Sequence, residues 1–152
     1  MKHLGNPSIR QQVLQRIAGL RPEMQPLWGR MTAHQMLCHL RDSFQVAVGE
    51  KRASPAGSLL QHSLLKWAAL YLPAPWPHGV PTRPEVEQGV GGTRPVAFRD
   101  DRIDLIFIIE RFSDPNRPFR WAAHPVFGRM SEREWLRWGY LHADHHLRQF
   151  GL

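Results

Sequence analysis

Residues 131–152 read SEREWLRWGYLHADHHLRQFGL. Ser131 and Glu134 have capping-box spacing, in which a hydroxyl and a carboxylate three residues apart satisfy the first free N–H groups of a helix. The helix they open runs to about Gln149 and ends at Gly151. Trp135, Trp138, His142, His145 and Gln149 form its inward stripe, and His146 flanks it. His142 and His146 are four residues apart, which stacks two imidazoles on one helix face. That separation suits a single ion bound through nitrogen at about 2.0–2.1 Å. His145 reaches the same ion in place of His146 through i, i+3 spacing.

The rest of the chain supplies further helices. Asn6-Pro7-Ser8 opens the first, since proline suits a first turn. Ile9, Val13, Ile17 and Leu20 recur at helical spacing, and Gly19 and Pro22 mark its end. Thr32 and Gln35 repeat the capping-box spacing and start the second helix, which closes at Gly49. Its inner stripe is Met36, Leu40, Ser43 and Ala47, with His39 lying on it. A third helix runs roughly from Ser58 to Tyr71, with Leu60, Leu64, Leu65, Ala68 and Tyr71 recurring. A fourth starts near Phe98 and carries Ile103, Ile106, Phe107, Ile109 and Glu110 to Phe112. Its run IDLIFIIE alone fits a buried strand equally well. The flanking charges and the lack of a partner strand favour helix. Between Leu72 and Pro95 lie six of the 13 prolines and four glycines, too many breakers for a regular element. A loop this long in a compact domain is functional or disordered. Trp76 favours an ordered loop wrapping the body. Five helices without a sheet predict a single all-α domain over residues 1–152, an antiparallel helical bundle.

Composition narrows the function classes. At 152 residues the chain suits one domain with a sizeable core. No run of about 18 apolar residues is present, so no membrane helix is expected. The first residues, MKHLGNPSIRQQVLQRI, lack an apolar signal core, which argues against secretion by that route. The single Cys38 excludes an internal disulfide and a multi-cysteine zinc site, and a reducing cytoplasm is the simplest location. The net charge of +7 admits an anionic substrate or nucleic acid. The cations are scattered and no nucleic-acid motif is present, so the nucleic-acid reading is set aside.

Nine histidines make metal binding the leading chemistry. Midway along an inner face, His39 completes a three-nitrogen set with His142 and His146, as bundles build sites from facing helices. Three protein ligands leave a position for water or substrate. The opposing reading is a polar pair near a helix terminus, where positive charge suits the dipole. His34, about 140° around the helix from His39, belongs to a rim or a structural contact. His124 lines the pocket or anchors its loop. His3, His62 and His78 join no constellation. Cys38 points about 100° from His39 and reads as packing. Asp42, Asp104, Glu110 and Asp144 are available to orient bound imidazoles. Arg148 holds an anionic substrate or snorkels at the surface.

The segments MTAHQMLCHLRDS (31–43), HPVFGRMSEREW (124–135) and LHADHHLRQFG (141–151), with the loop PWPHGVPTRPEV (75–86), resemble the DinB/YfiT-like four-helix-bundle metalloproteins. The likeness is strongest to an uncharacterised branch ending in His-His-Leu-Arg-Gln-Phe-Gly. It implies a DinB-like antiparallel four-helix bundle with a long Pro/Gly-rich connecting loop. It also implies His39, His142 and His146 as ligands of one divalent ion, nickel or zinc. The resemblance further implies a homodimer and a small-molecule substrate, anionic or thiol-linked. For activity it implies a thiol-dependent transferase. The alternatives are a metal-dependent hydrolase and a non-catalytic metal-binding bundle. The residues alone name no general base and no nucleophile.

Overall fold

A computed structural model of the chain describes residues 1–56 and 59–152, and only the backbone of 59–62. Ser58 and the side chains of Leu60 and His62 therefore lie outside the described residues. Five α-helices follow in order: α1 (Pro7–Gly19), α2 (Ala33–Ala47), α3 (Leu59–Tyr71), α4 (Phe98–Phe112) and α5 (Glu132–Gln149). No β-strand occurs among the described residues, where a single isolated bridge joins His124 to Gly128. None of these helices is long and apolar enough to cross a membrane.

The helix starts follow local chemistry. The Asn6 side chain accepts from the N–H groups of Ser8 and Ile9, at 3.0 and 3.2 Å. Both capping boxes are complete, Thr32 with Gln35 and Ser131 with Glu134. IDLIFIIE is helical, as expected, but its buried face is Leu105, Ile108, Ile109 and Phe112. Ile103 and Phe107, on the same helix, are exposed.

α1 packs on α4 and α5, and α2 packs on the same two helices, so these four close a ring. α2 and α4 make its most extensive contact. Aromatic rings fill the centre: Phe44 meets Phe112 edge-on at 4.8 Å, and Trp121 stacks on Trp135 at 5.7 Å. α3 lies outside the ring, against α5. Its expected inner stripe is corrected by this position. Leu64, Leu65 and Tyr71 are exposed, and Leu70 is the buried residue among the described side chains of α3. A helix packed mainly on one neighbour covers only a narrow strip of its surface.

Gly139 on α5 is a point of close approach. A Cβ there would lie 2.8 Å from Phe112 and 2.9 Å from Leu4. Alanine gains roughly 1 kcal/mol of helix propensity. Overpacking costs about 1–3 kcal/mol. Both neighbours are fully buried and cannot swing away, so overpacking wins. Gly139→Ala is expected to lower stability by about 1 kcal/mol in urea unfolding. An unchanged midpoint would mean that α4 and α5 shift apart freely.

The segment from 72 to 95 is tied down along its length. Trp76 donates its indole N–H to the Ala69 carbonyl at 2.8 Å. Arg83 donates to Ser54 at 2.6 Å, and Ser54 N–H donates to Glu85 at 3.0 Å. Thr93 donates twice to the buried Asp42, which also pairs with Lys51 at 2.8 Å. The proline density does not exclude all regular structure: a 3-10 turn spans Pro84–Val86. It packs against α2.

Candidate metal centre

α2 and α5 bring His39, His142 and His146 together, each offering a ring nitrogen within 4.8 Å of the other two. The Nε2 atoms of His142 and His146 are 3.2 Å apart. Two nitrogens bound to one ion at tetrahedral angles stand about 3.3 Å apart, given bonds of about 2.0–2.1 Å. The pair thus already has the separation of two ligands on one ion.

The hydrogen bonds fix which nitrogen His39 and His146 present. His39 Nδ1 is 2.9 Å from the Val86 carbonyl, which can only accept. Nδ1 therefore carries the proton and Nε2 keeps its lone pair. Gln149 donates from Nε2 to the Trp28 carbonyl at 2.6 Å, so its amide oxygen faces His146 Nδ1 at 3.0 Å. His146 Nδ1 is then the donor and its Nε2 is bare. His142 Nδ1 is buried with no partner among the described residues. Ring nitrogens grouped this closely can share one cation through their lone pairs. The donor set fits a divalent ion of the zinc or nickel class, which takes neutral imidazole readily.

The electrostatics agree. Burial lowers the pKa of His39 below its ordinary value, against the raising effect of the Val86 carbonyl. Burial, then the neighbouring imidazoles, pushes His142 and His146 well below theirs. Neutral imidazole is the form that binds metal.

Sequence periodicity placed His145 on the stripe and His146 beside it, and the structure reverses them. His146 is buried, whereas His145 is only partly so. At 100° per residue, Trp135, His142 and His146 fall within about 40° of one another, and His145 lies about 60° beyond His142. His145 faces outward to Trp28 and His78, at 6.0 and 6.1 Å between ring centres. His78 itself stacks on Trp28 at 4.1 Å. This contact was invisible in sequence because it joins two loops.

None of the four candidate carboxylates takes the orienting role. Asp42 holds Thr93 and Lys51, Asp104 pairs with Arg41, Asp144 pairs with Arg16, and Glu110 is exposed. The Val86 carbonyl and Gln149 orient the imidazoles instead. A backbone carbonyl leaves no side-chain signal, whereas Gln149 was legible as an inward polar residue. Gly29 lets the Trp28 segment reach Gln149: its φ is +81°, and a Cβ would lie 2.5 Å from the Gln149 amide nitrogen. Groups that orient a ligating imidazole typically contribute 10–100-fold to metal affinity. Gln149→Leu is therefore expected to weaken zinc binding about tenfold or more in a competition titration with a chromophoric chelator. Unchanged affinity would show that packing alone orients His146.

His34, Cys38 and Asp101 form a second close grouping. His34 contacts Asp101 at 2.7 Å, and Arg41 donates to the same carboxylate at 2.8 Å. Burial alone would raise the Asp101 pKa, but the Val96 N–H, His34 and Arg41 together hold it below the ordinary range. Burial, with Asp101 adding, pushes the Cys38 thiol up to about 12. A protonated thiol and a carboxylate already compensated by a guanidinium make a structural polar network. His124 anchors its loop: its Nδ1 accepts from the N–H groups of Val126 and Phe127, both at 3.1 Å. Its ring also packs on Trp135 and Trp138.

The three ligand candidates open on a cavity of about 650 Å³, walled by Val46, Leu65, Val86, Phe127, Trp135 and Trp138 among others. A cavity of this size is in the range that takes a small molecule. Fold and site together define an all-helical protein with a buried three-histidine cluster at the edge of an apolar cavity. The chain belongs to the family described as "Protein of unknown function (DUF1569)", matched over residues 9–151. No curated protein and no solved structure matched it.

Proposed function

We propose that the protein is a divalent-metal enzyme of the DinB/YfiT-like type, its ring of α1, α2, α4 and α5 being that four-helix bundle. His39, His142 and His146 would hold one nickel or zinc ion. The observation that carries this reading is the grouping of three imidazoles, two of them oriented by hydrogen bonds, on one edge of the 650 Å³ cavity. A bound ion supplies Lewis acidity, or lowers the pKa of water or of a thiol. The chain's own residues orient the ligands through Val86 and Gln149 and line the space beside them with apolar groups that exclude water. The cavity favours catalysis over a purely structural ion, because a structural site closes around its metal.

Thiol transfer is the reaction that the resemblance supports, in a cytoplasmic homodimer. The exposed apolar face of α3, with Leu64 and Trp67, supports a partner surface on the outside of the ring. Incubating zinc- or nickel-loaded protein with thiols and electrophiles, with mass detection of adducts, tests the reaction. Metal-dependent adducts that are lost in His39→Ala are expected. Ester hydrolysis without a thiol would favour the hydrolase reading, and no turnover at all would favour a non-catalytic metal protein.

A further inference from the structure

The cavity's charge and wall chemistry say what sits beside the ion. Its lining among the described residues contains no Asp, Glu or Lys. The charged side chains there are Arg30 and Arg83. Arg30 is exposed at the rim and forms no ion pair among the described residues. Arg83 is partly compensated by Glu85, which lies outside the lining. The three ligand candidates are neutral imidazoles, so a bound dication would keep its full charge. A low-dielectric pocket magnifies that charge. An anion answers it, and a cationic group does not. Most of the rest of the wall is hydrocarbon and indole, from Val46, Leu65, Val86, Phe127, Trp135 and Trp138 among others, with Ser43, Thr82, His124, His145 and Gln149 as its polar side chains. Such a wall rejects a body rich in hydrogen-bonding groups, which would be desolvated without partners.

Resting on the metal-site reading above, we infer that the substrate is a small apolar monoanion. Its anionic head, a carboxylate or a thiolate, would face the three histidines, and its hydrocarbon or aromatic body would fill the cavity. A polar zwitterionic thiol does not match this wall.

Calorimetric titration of the full-length, zinc-loaded protein tests the inference. The probes are octanoate, octanethiol, octanamide, acetate and glutathione. Octanoate or octanethiol should bind more tightly than octanamide by about tenfold or more, the worth of a desolvated charge contact. Octanoate should exceed acetate by roughly a hundredfold or more, from six buried methylenes. The relative strength of octanoate and octanethiol distinguishes the two heads. Leu65→Asp, at a half-exposed wall position, should weaken octanoate about tenfold through charge repulsion and leave zinc content unchanged. Arg30→Gln, at an exposed site, should weaken it by a smaller factor. Equal binding of octanoate and octanamide, or tighter binding of glutathione than of octanoate and octanethiol, overturns the inference while the metal site stands. Failure to retain zinc overturns the metal-site reading itself, and the inference with it.

Discussion

His142→Ala should lose nearly all affinity for zinc or nickel. His142 Nε2 stands 3.2 Å from His146 Nε2, the separation of two ligands on one ion. Structural zinc sites with four ligands bind with about 10–16 kcal/mol, so each ligand contributes roughly 3 kcal/mol or more. Loss of one from a set of three is expected to weaken binding about a hundredfold or more. The fold should survive, because the ring lies at the cavity edge and already carries a buried nitrogen with no partner among the described residues. Equilibrium dialysis against zinc, with circular dichroism as a control for folding, measures both. An alanine variant that keeps its helices and binds zinc like the wild type would remove His142 from the set. His145→Ala should leave affinity within a few-fold, since its ring faces Trp28 and His78.

Acid should destabilise the metal-free protein steeply. The pKa values of His39, His142 and His146 are all held below the ordinary 6.5, first by burial. Below about pH 6.5 the unfolded chain takes up protons that the folded chain refuses. Stability is therefore fully present above that pH and falls as pH drops toward the folded-state values. With three such groups the slope approaches roughly 4 kcal/mol per pH unit. Urea unfolding midpoints measured from pH 7.5 down to 5 should show this fall, and His142→Ala should reduce the slope by about a third. Zinc should shift the loss to lower pH, because the ion competes with protons for the same nitrogens. A midpoint flat across this window would mean that the imidazoles are solvated or protonated in the fold.

Much of the fold was legible because helix starts are local events. Asn6, Thr32 and Ser131 each declare a cap within three residues of sequence, and each cap forms. Which face a helix buries depends on its neighbours, and here the reading of α3 failed. On α3, Leu64 recurs at core spacing yet faces outward and Leu65 is half-exposed on the cavity wall, because α3 packs mainly on α5. On α4, Ile103 and Phe107 are exposed while Leu105 and Ile108 are buried. At the site, the i, i+4 pair and the inner-face position of His39 pointed to the cluster. The groups that orient it were harder to read. The Val86 carbonyl comes from a 3-10 turn inside a proline-rich segment with no periodicity to betray it. The four available carboxylates were plausible partners in sequence, but Lys51, Arg41 and Arg16 engage three of them in ion pairs.

The central claim is that one divalent ion sits on three imidazoles from α2 and α5. X-ray absorption spectroscopy of zinc-loaded, untagged protein, with metal content from elemental analysis, tests it most directly. One zinc per chain is predicted, with three imidazole nitrogens at about 2.0–2.1 Å and one imidazole fewer in His39→Ala. Protein that retains no zinc, or zinc without imidazole scattering around it, would contradict the account.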